Sequence, residues 1–232
     1  MKPELLHVKD FASDAARWIL ACAVQSIATR GLFRLALAGG ETPAAVYSEM
    51  ARSSDAPDWS RVQITFGDER CVPPDDAQSN YLMARRSLLD HAPIPSGNIF
   101  RIAGEADPDH AALQCEAQLR AVATRMGEPC YRHDLVLLGL GPDGHTASLF
   151  PGSPALAESQ RWLIPTIGPK PPPQRITMTY PLLNAARHVA FLVNDPKKQP
   201  VIDDILAHRG NHPAGAVQPT EGSLTWIIGP GK

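Results

Sequence analysis

Apolar residues along the chain alternate between helical and strand spacing. Phe11, Ala15, Trp18, Ile19, Cys22, Ala23 and Ile27 share one helical face, which predicts a helix over 11–28 stopped by Gly31. The apolar run 33–37 predicts a first strand, followed by a glycine turn and a helix over 44–50 with Pro43 in its first turn. A second unit has a strand over 62–66, a polar loop over 67–74 and a helix over 79–89, for which Ser79 is a suitable cap. Next come a short strand over 99–102, a helix over 107–126 ending near Gly127, and a strand over 134–138. Residues 162–165 and 175–179 read as extended, with the proline-rich stretch 169–173 between them as a stiff exposed loop. A strand over 188–193, a helix over 197–206 and a strand over 224–228 complete the pattern. Alternating strands and helices predict an α/β three-layer sandwich around a mainly parallel, Rossmann-like sheet. No repeat, linker or low-complexity block interrupts it, so residues 1–232 are expected to form a single domain.

A parallel sheet opens its strand-to-helix turns on one edge, so loops 38–43, 67–73, 139–152 and 194–198 can converge on one ligand, with Arg175 entering from a neighbouring strand. The richest of them is 139–152, in which three glycines free the backbone around Asp143 and His145. A carboxylate two residues before a histidine can fix its tautomer and stabilise the imidazolium, which suits proton transfer. Gly139, Gly141 and Gly144 also spell the G-x-G-x-x-G dinucleotide fingerprint. The context opposes that reading: the match lies past the middle of the chain, no helix-forming run follows Gly144, and Asp143 puts a negative charge where a pyrophosphate would sit.

Gly39, Gly40 and Thr42 resemble a phosphate cradle at a helix N-terminus, although without a Walker lysine. A Gly-Gly turn that only caps a helix is the plainer alternative. Arg70, Arg175 and Lys198 each adjoin a strand end or helix start where a small dianion would need a cation, and each also reads as a surface charge. Asp68 and Glu69 can pair with Arg70 and merely order the loop. Seven other histidines lack comparable glycine scaffolding, no G-x-S-x-G elbow exists, and Ser148 has no evident base other than His145.

The composition narrows the partners. With 44% hydrophobic and 20% charged residues and a net charge of −2, the chain is an ordinary globular protein with no global attraction to nucleic acid. The N-terminus has no basic region leading into a long apolar stretch, which implies a soluble, cytoplasmic protein with no membrane contact. Cys22, Cys71, Cys115 and Cys130 form no C-x-x-C pair and read as buried or incidental thiols.

Taken together, the loops resemble the 6-phosphogluconolactonase family, hydrolases of the oxidative pentose phosphate pathway, within a wider group that includes glucosamine-6-phosphate deaminase. The likeness runs from Ala38 through Asp68-Glu69-Arg70, Asn80, residues 139–152 and Arg175-Ile176-Thr177 to Lys198. Its most specific part is Gly144-His145-Thr146-Ala147-Ser148-Leu149-Phe150-Pro151-Gly152, where deaminases carry Gly-His-Ile-Ala-Phe-Asn. The resemblance implies a carboxylic ester hydrolase acting on a sugar-phosphate lactone with no metal or other cofactor; the sequence does not fix whether it is a monomer or a weak dimer. It implies His145 as catalytic base supported by Asp143. It also implies Gly39, Gly40, Thr42, Arg175 and Lys198 around the 6-phosphate, and Asp68 and Arg70 beside the sugar. Three departures bear on phosphate affinity: Ala38 and Glu41 stand where serines are frequent, and Asp195 where glycine is. Two rivals remain, an amino-sugar phosphate deaminase that moves a proton with Asp68, and a non-catalytic sugar-phosphate sensor.

Overall fold

Short strand β1 (Glu4–His7), which has too few residues to carry a periodic signal, opens the computed structural model, which describes residues 2–231. It precedes α1 (Phe11–Arg30), where the Asp10 side chain accepts from the Ser13 N–H and Gly31 ends the helix in the left-handed conformation that glycine tolerates. β2 (Phe33–Leu37) leads into α2 (Glu41–Arg52), which starts earlier than expected, with Pro43 in its first turn. β3 (Val62–Phe66) follows, then β4 (Asp68–Arg70) and α3 (Asn80–Ala84), which is capped by Ser79 and continues into one π turn, Arg85–Leu89. The chain goes on through α4 (Pro108–Arg125), β5 (Leu135–Leu138), β6 (Leu163–Ile167), β7 (Gln174–Met178) and α5 (Tyr180–Asn184). β8 (His188–Val193), a 3₁₀ turn at Pro196–Lys198, α6 (Gln199–Leu206) and β9 (Ser223–Ile228) close it.

Six strands form one wholly parallel sheet in the order β1-β9-β8-β5-β2-β3. β2 and β5 are buried along their whole length and β8 along nearly all of it, as strands covered by helices on both faces must be. Among the described residues no helix is long and apolar enough to cross a membrane.

Beyond β1 and the start of α2, the structure corrects the expected map in four places. Residues 67–73 are not simply a loop, because Asp68–Arg70 form β4, antiparallel to β7 with Asp68 opposite Thr177 and Arg70 opposite Arg175. The two extended stretches flanking the proline-rich loop pair with each other as a hairpin outside the main sheet, giving a second sheet ordered β4-β7-β6. Residues 99–102 make only one bridge, Ile99 to Ile64. The helix expected from 197 begins as a 3₁₀ turn whose first N–H groups bond to Asp195. The two sheets meet at Gly67, whose N–H donates to the Leu37 carbonyl (2.9 Å) and whose carbonyl accepts from the Met178 N–H (2.8 Å).

Candidate active site

A cavity of about 250 Å³ opens where the turns after β2, β5 and β8 face the small sheet. Gly39, Gly40, Thr42, Asp68, Arg70, His145, Arg175 and Lys198 all line it. Asp143 does not; it stands behind His145, half exposed, on the wall of a neighbouring groove.

The His145 turn is held from within. The Gly144 N–H donates to the Gly141 carbonyl (3.0 Å), the Gly141 N–H to the His145 carbonyl (2.8 Å), and the His145 N–H to Asp143 Oδ1 (3.2 Å). Asp143 Oδ1 also lies 2.5 Å from His145 Nδ1. Burial works against charge on Asp143, but its hydrogen bonds with the side chain and backbone of His145 prevail and hold the carboxyl below its ordinary value. The other face of the imidazole meets Phe150, with ring centroids 4.6 Å apart. Gly141 must lack a side chain, since a Cβ there would collide with the imidazole and the carboxylate.

On the opposite wall, the N-terminus of α2 carries no side-chain cap, so its first N–H groups and its positive dipole remain available to an anion. Gly40 takes φ 105°, a conformation that favours glycine. Gly39 is bare for a reason the sequence hid: a Cβ would overlap the Asn80 carboxamide. The Ala38 backbone is engaged by the Tyr47 hydroxyl, and Glu41 also lines the cavity.

Arg70 and Arg175 come from paired positions on the small sheet, and the buried Nε of each has no hydrogen-bond acceptor. Burial, then the charge of Arg70, pushes the Arg175 guanidinium below its ordinary value. Two cations held together with unmet donors favour an anion between them and the α2 N-terminus. Arg70 does not pair with its neighbouring carboxylates: its Nη1 donates to the Gln78 carbonyl (2.6 Å), and its bond to Glu69 is made by its backbone N–H (2.7 Å) rather than by the guanidinium.

Asp68 is buried with both oxygens engaged. Ser148 Oγ donates to Oδ2 (2.6 Å) and Asn80 Nδ2 to Oδ1 (3.1 Å). Ser148 is thus fully buried and committed to a carboxylate rather than to a histidine. Neither Asn80 nor Ser148 received a role from sequence, since neither spacing nor composition reveals a bond between segments so far apart. Ala147, between them and His145, lines the cavity at φ 48°, an unusual backbone for a residue with a Cβ and one that concentrates at functional sites.

Comparisons with known proteins identify the family. The sequence model of the glucosamine-6-phosphate isomerases/6-phosphogluconolactonase family matches residues 7–226. A 6-phosphogluconolactonase of Synechocystis sp. is 40% identical over 208 residues, 88% of this chain and 85% of the relative, and one of Mycobacterium tuberculosis is 41% identical over 179 residues, 75% and 72%. The crystal structure of 6-phosphogluconolactonase from Thermotoga maritima superposes with a TM-score of 0.88 at 28% identity, covering 98% of this chain and 100% of that one. That of the Trypanosoma brucei enzyme gives 0.83 at 28% identity, covering 98% and 96%. With the family model matched across 7–226, relatives about 40% identical over most of the chain and solved lactonases that superpose on nearly all of it, the chain belongs to the glucosamine-6-phosphate isomerase/6-phosphogluconolactonase family.

Proposed function

We propose that the protein hydrolyses 6-phospho-D-glucono-1,5-lactone to 6-phosphogluconate, the lactone-opening step of the oxidative pentose phosphate pathway, with water activated by His145. The observation that carries this reading is one cavity lined both by the Asp143-backed imidazole and by Arg70, Arg175, Lys198 and the uncapped α2 N-terminus. Relatives bearing the lactonase name over most of the chain's length support it.

Asp143 engages Nδ1 and so leaves Nε2 as the nitrogen that takes a proton. Water attacks C1 as Nε2 removes its proton, and the oxyanion that forms draws on Arg70 and on N–H groups of the 139–147 loop. Collapse expels the ring oxygen, the imidazolium returns its proton to it, and the carboxylic acid left at C1 releases its own proton to solvent as the product departs. Gly39, Gly40, Thr42, Arg175 and Lys198 hold the 6-phosphate, and Asp68 and Arg70 contact the sugar. An acyl-serine route is disfavoured, because Ser148 Oγ is bonded to Asp68.

The test is acid release from freshly made lactone above its spontaneous opening, with the dephosphorylated lactone as control. The wild type is expected to accelerate the phosphorylated substrate far more. His145→Asn is expected to lower kcat by about 10²–10⁴-fold while phosphate-dependent binding persists. Unchanged turnover in folded His145→Asn would overturn the base assignment. Ammonia release from glucosamine 6-phosphate, without lactone hydrolysis, would assign the deaminase activity instead.

A further inference from the structure

We infer that His212 is a positioning residue for the lactonase reaction, gripping from outside the turn that carries His145. The inference rests on the lactonase reading above, and its test separates the two.

The internal bonds of the turn satisfy one end of each of its last two peptides. In the Asp143–Gly144 peptide, the N–H goes to the Gly141 carbonyl; in the Gly144–His145 peptide, the N–H goes to Asp143 Oδ1. The other ends, the carbonyls of Asp143 and Gly144, have no partner within the turn and are met by one remote segment. His212 Nδ1 lies 3.4 Å from the Asp143 carbonyl, and the Ala214 N–H donates to the Gly144 carbonyl (3.0 Å). Both peptides are thereby held at N–H and C=O alike.

The contact is steric as well as polar. Gly144 sits at φ 81°, and a Cβ there would collide with the ring and Cβ of His212, so the imidazole lies directly on the glycine Cα. Glycine is the residue least able to hold a single backbone conformation unaided, and the neighbouring imidazole supplies the missing restraint. On the far side of His212, Asp204 Oδ2, on α6, lies 3.8 Å from Nε2, and Oδ1 of the same carboxylate accepts from Arg209 Nε (2.9 Å). His212 does not line the cavity, so any effect it has on turnover passes through the turn.

The orientation of Asp143 depends on the backbone that His212 holds. If the Asp143 carbonyl swings, the carboxylate moves with it, and His145 loses the partner that fixes its tautomer. Displacements near 1 Å in reacting groups cost up to about 10²-fold in rate.

The experiment measures lactone hydrolysis by His212→Leu, which keeps bulk without the donor, by His212→Asn, whose amide can donate from the place of Nδ1, and by each combined with His145→Asn. His212→Leu is expected to lower kcat by about 10–100-fold with KM little changed, and His212→Asn to restore most of the loss. In the His145→Asn background, His212→Leu is expected to add no further loss, because its effect passes through His145. His212→Ala provides a second donor-free variant should the leucine fail to fold, as checked by far-UV circular dichroism. Wild-type kcat in a folded donor-free variant, or a loss that persists in the His145→Asn background, would overturn the inference. Absence of lactonase activity in the wild type would instead overturn the reading beneath it.

Discussion

Gly141 matters as much as the histidine it underlies. A methyl group there would occupy the space of the imidazole and the Asp143 carboxylate, although its φ lies outside the left-handed region that would strain an alanine. Gly141→Ala is therefore expected to fold, with a urea midpoint near that of the wild type, and to lose kcat to about the extent of His145→Asn, within the 10²–10⁴-fold range of acid–base assistance. Steady-state assays on both variants check this. Gly39 carries a similar constraint from Asn80, whose carboxamide fixes Asp68. Gly39 and Gly141 thus serve close contacts inside the protein as well as access for a ligand.

Among the elements, β4 and α3 depend on one carboxylate. Glu69, buried on β4, accepts from the backbone N–H groups of Asn80 (2.7 Å) and Tyr81 (2.8 Å) and from the Ser79 hydroxyl (3.1 Å), closing the first turn of α3. Burial pushes its carboxyl above the ordinary value, against the opposing pull of these backbone donors. In Glu69→Gln an amide NH₂ would face a backbone donor, at an expected cost of about 1–3 kcal/mol, read as a lower urea midpoint. Five of the six main-sheet strands, all but the short β1, and the long helices could be read from periodicity: β2, β3 and β8 have the bounds their apolar runs predict. β4 could not, since Asp68-Glu69-Arg70 has no apolar signature and is a strand only because β7 lies beside it. The same limit hid Glu69 as a cap and Ser148 as a partner of Asp68, while His145, Asp143, Arg70, Arg175 and Lys198 stood out because glycine-rich or strand-end positions marked them.

Across the molecule, one apolar core runs from α1 to β9 and takes in β6 and β7 of the small sheet. We propose that the chain unfolds as a single cooperative unit. Trp18 lies in α1, Trp59 in a turn before β3, Trp162 just before β6 and Trp226 in β9, so tryptophan fluorescence and far-UV circular dichroism are expected to give coincident urea transitions. That transition should weaken in acid through His133. Complete burial, then the charge of Arg34, pushes its pKa down to about 3. The unfolded chain takes up a proton below about pH 6.5 that the folded chain refuses until near pH 3, so stability is full above that window and falls as pH drops through it, by up to about 1.4 kcal/mol per unit. His133→Gln is expected to flatten this slope, measured as urea midpoints between roughly pH 6.5 and pH 4.

The junction at Gly67 bears on more than topology. Arg70 and Arg175 hang from one sheet and the imidazole turn from the other, so the span between them is set by how the two sheets dock. On the proposed reading the protein would work as a caliper whose jaws belong to separate pieces of framework, with selectivity for molecular length built into the seam between them.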